Sequence, residues 1–567
     1  MIVHRKWLAV ACGLVLSLAA ACAPMRESKL GATAFSKIKA AEVFAAGLSG
    51  IAEKYIDVVA VDDISFEGIR GLGVLDPDLT VSREGGEVLL TSAGHEVIRL
   101  KAPGAEDAAG WANLTADISL AARQASPELK SADMEAVYEA FFDGVLSYLD
   151  IFSRYAGAEE ARKNRAKRDG FGGIGIRYRI KDGVVVVSDV LPKKPAAKAG
   201  MMKNDRITHV DGKPLKGLSR KAISNMIRGP THTLVNLRVK RKGTSGPLTM
   251  AMERVHIFLT TVFETENDGI LVLRLKSFNQ NTARSMAKKL ENARARLADG
   301  LRGLVLDLRG NPGGLLKQSI KVADLLLTQG KIVSTQGRHA ESIHNYEAGG
   351  QDLAFGLPVL VLVDGKSASA AEIVAAALQD RDRAVVIGTS SFGKGSVQTV
   401  IKLPNDGEIT LTWSKLVAPS GYMLHGLGVR PAICTSGLKD GAEEAIKAVM
   451  ANRSKTKEVL TAWRKPEIPD EDVRNKLRQS CPSQRRRNNL ETEIARRLID
   501  DQALYAQALN LSAPTHEARY KQGAMLPASP RTPLTGGPRT VWFALRETSD
   551  GPQTRDTEHG KTEFHID

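Results

Sequence analysis

The segment "LPVLVLVD", Leu357 to Asp364, is apolar at every position from 359 to 363. A strand with one wet face alternates apolar and polar side chains; one that is apolar on both parities must be covered on both faces. The chain therefore has to supply a layer on each side of it. "GILVLRLKSF" from Gly269, "GLVLDLRG" from Gly303 and "RAVVIG" from Arg383 read as further strands. Between them "TARSMAKKLENARARLA" from Thr282 and "LKQSIKVADLLL" from Leu316 carry a helical apolar period, and an Ala-rich helix follows Asp364. This alternation predicts an α/β domain whose sheet is covered by helices.

Two stretches ahead of it, 36–76 and 116–155, are helical in period, and each ends in a glycine turn into Leu-Asp, the mark of a diverged internal repeat. Between them "LTVSREGGEVLLTSAGHEVIRLKAP" from Leu79 predicts a strand pair turning at Gly85-Gly86. The basic residues 164–170 read as a linker. From there to about residue 257, short alternating strands, with a hairpin turn at Asp182-Gly183, accompany two short helices, "PAAKAGM" and "SRKAISNMI". Ser219 caps the second. Residues 440–465 and 487–510 predict charged amphipathic helices. After 512 the composition predicts a mostly disordered tail, with a short strand at "TVWFALRE".

The 567 residues are 43% hydrophobic, enough for several folded cores. The net charge of +15 suits an anionic surface such as a bacterial envelope, with a solvated basic surface as the plain alternative. No aromatic-studded basic motif or zinc-finger spacing points to nucleic acid. His4-Arg5-Lys6 followed by the apolar run Trp7 to Ala21 is a secretory signal, too short for a membrane span. Its end, Ala19-Ala20-Ala21-Cys22, looks like a bacterial lipoprotein signal in which Cys22 becomes the lipidated N-terminus; plain cleavage after Ala21 is the alternative. The expected location is the periplasm, anchored by lipid to the envelope membrane. Of the four cysteines, Cys12 leaves with the signal, and Cys434 and Cys481 remain as a candidate disulfide, with two buried thiols as the alternative. The eleven histidines show no metal-binding spacing, so no metal is expected.

The Ala-rich helix opens with "DGKSASAAEIVAAALQD", Asp364 to Asp380. Gly365-Lys366-Ser367 is spelled like the tail of a phosphate-binding loop, but the first glycine of such a loop would fall at Leu360, inside the buried strand. Strand, tight small-residue turn and helix instead lift a serine to a helix N-terminus, where unpaired N–H groups and the helix dipole face a developing oxyanion. No histidine lies near it in sequence. Lys394 does, in the Gly-flanked "SFGKGSVQ", and Gln398 shares its face if that segment is extended. Ser391-Phe392-Gly393-Lys394 spells a rival Ser-x-x-Lys pair, but Gly393 and Gly395 disfavour the helix it needs. Taken singly, Ser369 is a helix cap and Lys394 a surface lysine.

"SASAAE", "FGKGSVQ", "LVLDLRGNPGG" and "GFGGIGIRY" stand together here, and the chain from about Ser131 to Ser436 resembles the carboxyl-terminal processing peptidases. The resemblance implies a serine protease with a Ser-Lys dyad, a crotonase-like α/β catalytic core and an inserted, β-rich PDZ domain. It places the nucleophile at Ser369, the general base at Lys394 and a lysine-orienting group at Gln398. Oxyanion N–H donors fall at Ala370 and Gly313, with Gly314 close behind, and Gly173, Ile174 and Gly175 match the loop that receives a peptide's terminal carboxylate. The expected division is a signal peptide 1–21, a helical N-terminal region 22–130, a helical segment 131–165, the PDZ domain 166–258, the catalytic core 259–436, a helical C-terminal extension 437–511 and the tail 512–567. Pro431-Ala432-Ile433 stands where many members have Pro-Asp-Ile, away from the catalytic positions. Neither the repeat before Ser131 nor the extension past 436 is explained by the family's core.

With the signal segment, the resemblance implies an exported endopeptidase that cleaves envelope proteins or peptides without a cofactor. Its PDZ domain would read substrate C-terminal tails, with Ile174 and Ile176 favouring apolar ones. The expected partners are those substrates and the membrane, with no nucleic acid; an adaptor or a homo-oligomer is left open. A lysine base must be neutral, which asks its ordinary value of about 10.4 to fall by roughly three pH units, about 4 kcal/mol; burial among apolar groups can supply that. An inactive, protease-like peptide-binding scaffold is the alternative. A crotonase-fold acyl enzyme would need a coenzyme A pocket, which nothing in the sequence marks.

Overall fold

A computed structural model describes residues 35–512 apart from 182–183, 439–440, 467, 469 and 486–488. The signal segment with Cys22, the Asp182-Gly183 turn and the tail past 512 lie outside the described residues. The chain forms two compact units, one of residues up to 49, 59–157 and 403–405, the other of 50–58, 158–402 and 406 onward.

In the first unit the helices Val61–Arg70 and Met134–Leu149, one from each suspected repeat, pack against each other. Glycine permits the approach: a Cβ on Gly68 would lie 2.5 Å from the Phe141 ring, and one on Gly144 2.5 Å from the Glu67 carbonyl oxygen. Phe44, Tyr138, Phe141 and Phe142 close an aromatic core around them. The expected strand pair is a meander of three strands, Leu79–Glu84, Glu87–Ser92 and His95–Lys101. Its second turn is Ala93-Gly94, both at positive φ, and an alanine in that place gives little sequence signal for a turn.

The second unit starts with a correction. The basic stretch read as a linker lies in the helix Ala158–Asp169. Arg165 and Arg168 reach the buried Glu408 carboxylate at 2.9 and 3.3 Å, a partner far away in sequence. The inserted domain follows as an antiparallel sheet, in spatial order Leu248–Glu253, Leu234–Lys240, Arg206–Val210, Val184–Val190 and Ile176–Lys181. Phe171–Gly173 pairs separately with Val255–Ile257. Val185, Val187, Ile207, Ile223, Val235 and Leu237 fill its core. Ser219 Oγ accepts the Ala222 N–H at 3.2 Å and caps the helix Arg220–Ile227.

The main sheet runs in the order Val262–Asn267, Ile270–Leu275, Gly303–Asp307, Val359–Val363, Val385–Gly388, Ile433–Cys434. Its first pair is antiparallel and the rest are parallel. Val359–Val363 is buried throughout and divides its side chains by parity. Val359, Val361 and Val363 join the core under the helices Thr282–Leu297, Leu316–Asp324 and Ala370–Asp380. Leu360 and Leu362 meet Ala445, Ile446, Leu490, Ile494 and Leu498 on the other face. The C-terminal helices Ala442–Ala451, Leu490–Asp500 and Gln502–Ser512 are thus the second layer that the apolar strand requires. Each such fully buried aliphatic side chain contributes about 1.5–3 kcal/mol. A second, antiparallel sheet of His344–Ala348, Gly330–Gln336, Glu408–Val417 and Ser396–Lys402 stands beside this one, read in sequence only at its last strand. Among the described residues no helix is long and apolar enough to cross a membrane.

Candidate active site

Val359–Val363 ends at a turn tied together by the side chains of Asp364 and Ser367. Asp364 Oδ1 accepts from Gly310 N–H and Lys366 N–H, each at 2.9 Å. Ser367 Oγ, fully buried, donates to the Leu308 carbonyl at 2.9 Å and accepts from Asp364 N–H at 3.0 Å. The stretch spelled like a phosphate loop is therefore a tight structural turn. Ser369 follows as the N-cap of Ala370–Asp380 with φ 54° and ψ −114°. A serine held there costs of order 1–3 kcal/mol, and such outliers persist only where the surroundings enforce them. Ser369 is half-buried, whereas Ser367 is sealed.

Glu372 supplies the enforcement. It is completely buried at the third position of the helix, and Ser369 N–H donates to its Oε2 at 2.6 Å. Lys394 N–H donates to the same oxygen at 3.0 Å. Oε1 accepts from Ser391 Oγ at 2.5 Å and Gly393 N–H at 2.7 Å. One carboxylate oxygen thus joins the serine turn to the lysine loop, and Phe392 N–H to the Ser367 carbonyl, 2.9 Å, adds a second tie. Burial pushes the Glu372 carboxyl above its usual range, against the four donors that pull it down. Lys394 is half-buried. Gln398 lies on Ser396–Lys402, past a bulge between Val397 and Gln398, and its Nε2 donates to Ser396 Oγ at 2.9 Å. Ser391, the rival nucleophile, has no exposure: its Oγ serves Glu372 and accepts Val429 N–H at 2.7 Å.

The glycine loop "GNPGG" lies against the serine. A Cβ on Gly313, at φ +100°, would sit 2.8 Å from the Ala368 carbonyl, 3.0 Å from Ser369 Cβ and 3.1 Å from Ala370 N. Asn311 anchors this loop, accepting Ala368 N–H on its carbonyl and donating its side-chain amide to the Leu275 carbonyl. Asn311 Oδ1 also takes the Gly313 N–H at 2.8 Å. The expected donor at Gly313 is therefore engaged within the chain. Ala370 N–H and Gly314 N–H donate to no group among the described residues.

In the inserted domain Gly173 pairs with Val255, while Ile174 N–H and Gly175 N–H have no acceptor among the described residues. Gly175 needs its missing side chain: at φ +81° a Cβ would lie 2.4 Å from Lys194 Cβ. The Ile174 side chain, 1% exposed, belongs to the domain core, which corrects the expectation that it lines a tail pocket. Ile176 is half-buried against the same core. A disulfide joins Cys434 to Cys481. Among the described residues no cluster of His, Cys, Asp or Glu is placed to hold a metal. Of the residues not singled out in sequence, Glu372 had a signal in the Ser-x-x-Glu spacing of a capping box. Asp364 and Asn311 had none.

A strained, half-exposed serine at a helix N-terminus, with free N–H groups beside it and a lysine loop tied to it, is an arrangement that can support serine-type hydrolysis. Residues 269–435 match peptidase family S41, and residues 172–250 match the PDZ domain. The carboxy-terminal-processing protease of Bartonella bacilliformis is 40% identical over 303 residues, 53% of this chain and 70% of that one. The carboxy-terminal processing protease CtpA of Bacillus subtilis is 31% identical over 307 residues, 54% of this chain and 65% of that one. Among solved structures, the photosystem II D1 C-terminal processing protease aligns over 69% of this chain and 92% of its own, with TM-score 0.34 and 24% identity. The chain belongs to peptidase family S41, the carboxy-terminal processing proteases, serine-type peptidases, and carries a PDZ domain ahead of its peptidase core.

Proposed function

We propose that the protein is an exported endopeptidase in which Ser369 is the nucleophile and neutral Lys394 the general base. The observation that carries this reading is the shared Glu372 oxygen, to which both Ser369 N–H and Lys394 N–H donate. Ser369 Oγ attacks the scissile carbonyl carbon as its proton passes to Lys394 Nζ. Ala370 N–H and Gly314 N–H receive the oxyanion. Lysine then protonates the departing amine, leaving an ester on Ser369; a water, deprotonated by the same lysine, attacks it, and Ser369 regains its proton as the acid product leaves. Gln398 orients the lysine. The free Ile174 and Gly175 N–H groups would take the terminal carboxylate of a substrate tail, which adds as a strand along the sheet edge Ile176–Lys181. Export, lipid attachment through Cys22 and envelope substrates remain part of the proposal on sequence grounds.

The test is cleavage of a folded carrier bearing a flexible apolar tail. Ser369→Ala and Lys394→Ala should each be inactive yet folded, and replacing the last tail residues by aspartate should slow the wild type. A Ser369→Ala protein that still cleaves would overturn the nucleophile, and equal cleavage of both tails would remove tail reading by the PDZ domain. An inactive wild type that binds tails would favour the scaffold reading.

A further inference from the structure

The lysine loop is held from two sides. From within the catalytic core, Glu372 takes the Gly393 and Lys394 N–H groups. From outside it, a strap of the C-terminal extension lies against the loop and against the segment from Gly426 to Arg430 that packs beside it. The strap consists of the helices Arg453–Trp463 and Glu471–Gln479 and ends at Cys481. Trp463 Nε1 donates to the Gly428 carbonyl at 3.1 Å, and Arg430 Nε donates to Ser480 Oγ at 3.1 Å. Arg478 makes the direct contact. Its Nη2 donates to the Ser391 carbonyl at 3.1 Å and its Nη1 to the Leu427 carbonyl.

Ser391 is three residues ahead of Lys394, and with Arg478 in place each of its polar groups has a fixed partner. Its N–H donates to the Val429 carbonyl at 3.1 Å, its hydroxyl serves Glu372 and Val429, and its carbonyl is taken by Arg478. The Arg478 guanidinium gives its hydrogen bonds to these two backbone carbonyls. A half-buried guanidinium that gives up water to hold two backbone carbonyls is poor surface chemistry and good loop fixation, because its planar fork spans two fixed acceptors at once. Burial lowers the Arg478 pKa, and the charge of Glu372 opposes that fall.

We propose that Arg478 is a positioning residue for the catalytic lysine: it fixes the peptide after Ser391, and the Cys434–Cys481 disulfide three residues further on keeps its helix within reach. The inference rests on the reading of Lys394 as general base. It assigns the C-terminal extension a part in turnover beyond covering the sheet. Holding a base in a near-attack geometry governs turnover far more than ground-state binding, since a displacement of about 1 Å costs on the order of a hundredfold in rate.

The experiment uses the full, oxidised chain. Arg478→Met keeps the aliphatic stem and removes both donors; Arg478→Lys keeps the charge but not the fork. Steady-state cleavage of a tailed peptide should show kcat reduced at least tenfold for Arg478→Met with KM within about threefold, and a smaller reduction for Arg478→Lys. Near-UV circular dichroism should show both variants folded. Wild-type kcat in a folded Arg478→Met protein would overturn the proposal, as would equal losses in kcat/KM that arise wholly from KM. Should Arg478→Met fail to fold, the same split is read on Arg478→Lys, where unchanged kcat overturns the proposal. Lys394→Ala is run in parallel. If it remains active, the dyad reading falls and takes this inference with it; if it is inactive while Arg478→Met is normal, only the positioning role falls.

Discussion

Gly313→Ala and Gly310→Ala form a matched pair, because both glycines lie at positive φ on one loop and differ most in the space around them. Gly310 has φ +72° and nothing within 4 Å of where a Cβ would stand, while Gly313 has φ +100° and three backbone or Cβ atoms of the serine turn within 3.1 Å. At Gly310 an alanine pays only for its left-handed backbone, roughly 1–2 kcal/mol. At Gly313 a backbone cost at least as large is joined by a clash with the Ala368 carbonyl at 2.8 Å, which only a backbone shift can relieve. Overpacking of this kind adds about 1–3 kcal/mol. The shift would fall on Ser369 and Ala370, where a displacement of about 1 Å can cost a hundredfold in rate. Gly313→Ala should therefore lose about 2–5 kcal/mol of stability and at least tenfold in kcat. Gly310→Ala should lose the backbone share alone and keep kcat within about twofold. Labelling of Ser369 by an alkyl fluorophosphonate reads the reactivity of that serine directly, and thermal melts read the stability. Equal labelling rates in the two variants would refute the claim that the Gly313 contact sets the position of the serine.

Two further outcomes follow from buried groups. Burial raises the Glu372 carboxyl above its unfolded value, so its contribution to stability is fully present below the ordinary carboxylate range and is lost as pH rises through the raised value. Glu372→Gln cannot titrate, so the stability advantage of wild type over this variant should shrink as pH rises above the ordinary carboxylate range; an advantage that grows would contradict the direction of the shift. The Cys434–Cys481 disulfide spans a sequence separation of 47 residues, and a loop of that size is worth about 4 kcal/mol on the chain-entropy estimate. The double Cys434→Ser, Cys481→Ser protein should melt lower and lose its C-terminal helices to limited proteolysis first; a protease-resistant extension would argue against the staple.

The serine turn was legible because its parts are local. A buried strand, a small-residue turn and a helix with Ser-x-x-Glu spacing lie within twenty-odd residues, and each has a sequence period or cap of its own. The helix Ala158–Asp169 was not legible, because its basic residues look like solvated charge until Glu408 is brought to them. The second turn of the meander was missed for want of a Gly or Asn at Ala93. The resemblance offered Gly313 as an oxyanion donor, yet its N–H points to Asn311, since a motif in sequence does not say which way an amide faces.

By itself the sequence determined the strand-and-helix alternation of the core and the need for apolar cover on both faces of Val359–Val363, which follow from periodicities along the chain, while the choice of Ser369 and Lys394 came from the resemblance of their motifs to a family. Only the tertiary structure decided what provides that cover and how the Ser369 turn and the Lys394 loop are held. Leu360 and Leu362 are covered by helices more than eighty residues further on, and Arg478 reaches the Ser391 carbonyl across a similar distance. Such contacts join surfaces whose sequences need only be apolar or basic, a condition many alternative pairings satisfy equally well. The choice among them is made by packing and by the directions of buried hydrogen bonds, which have no local signature.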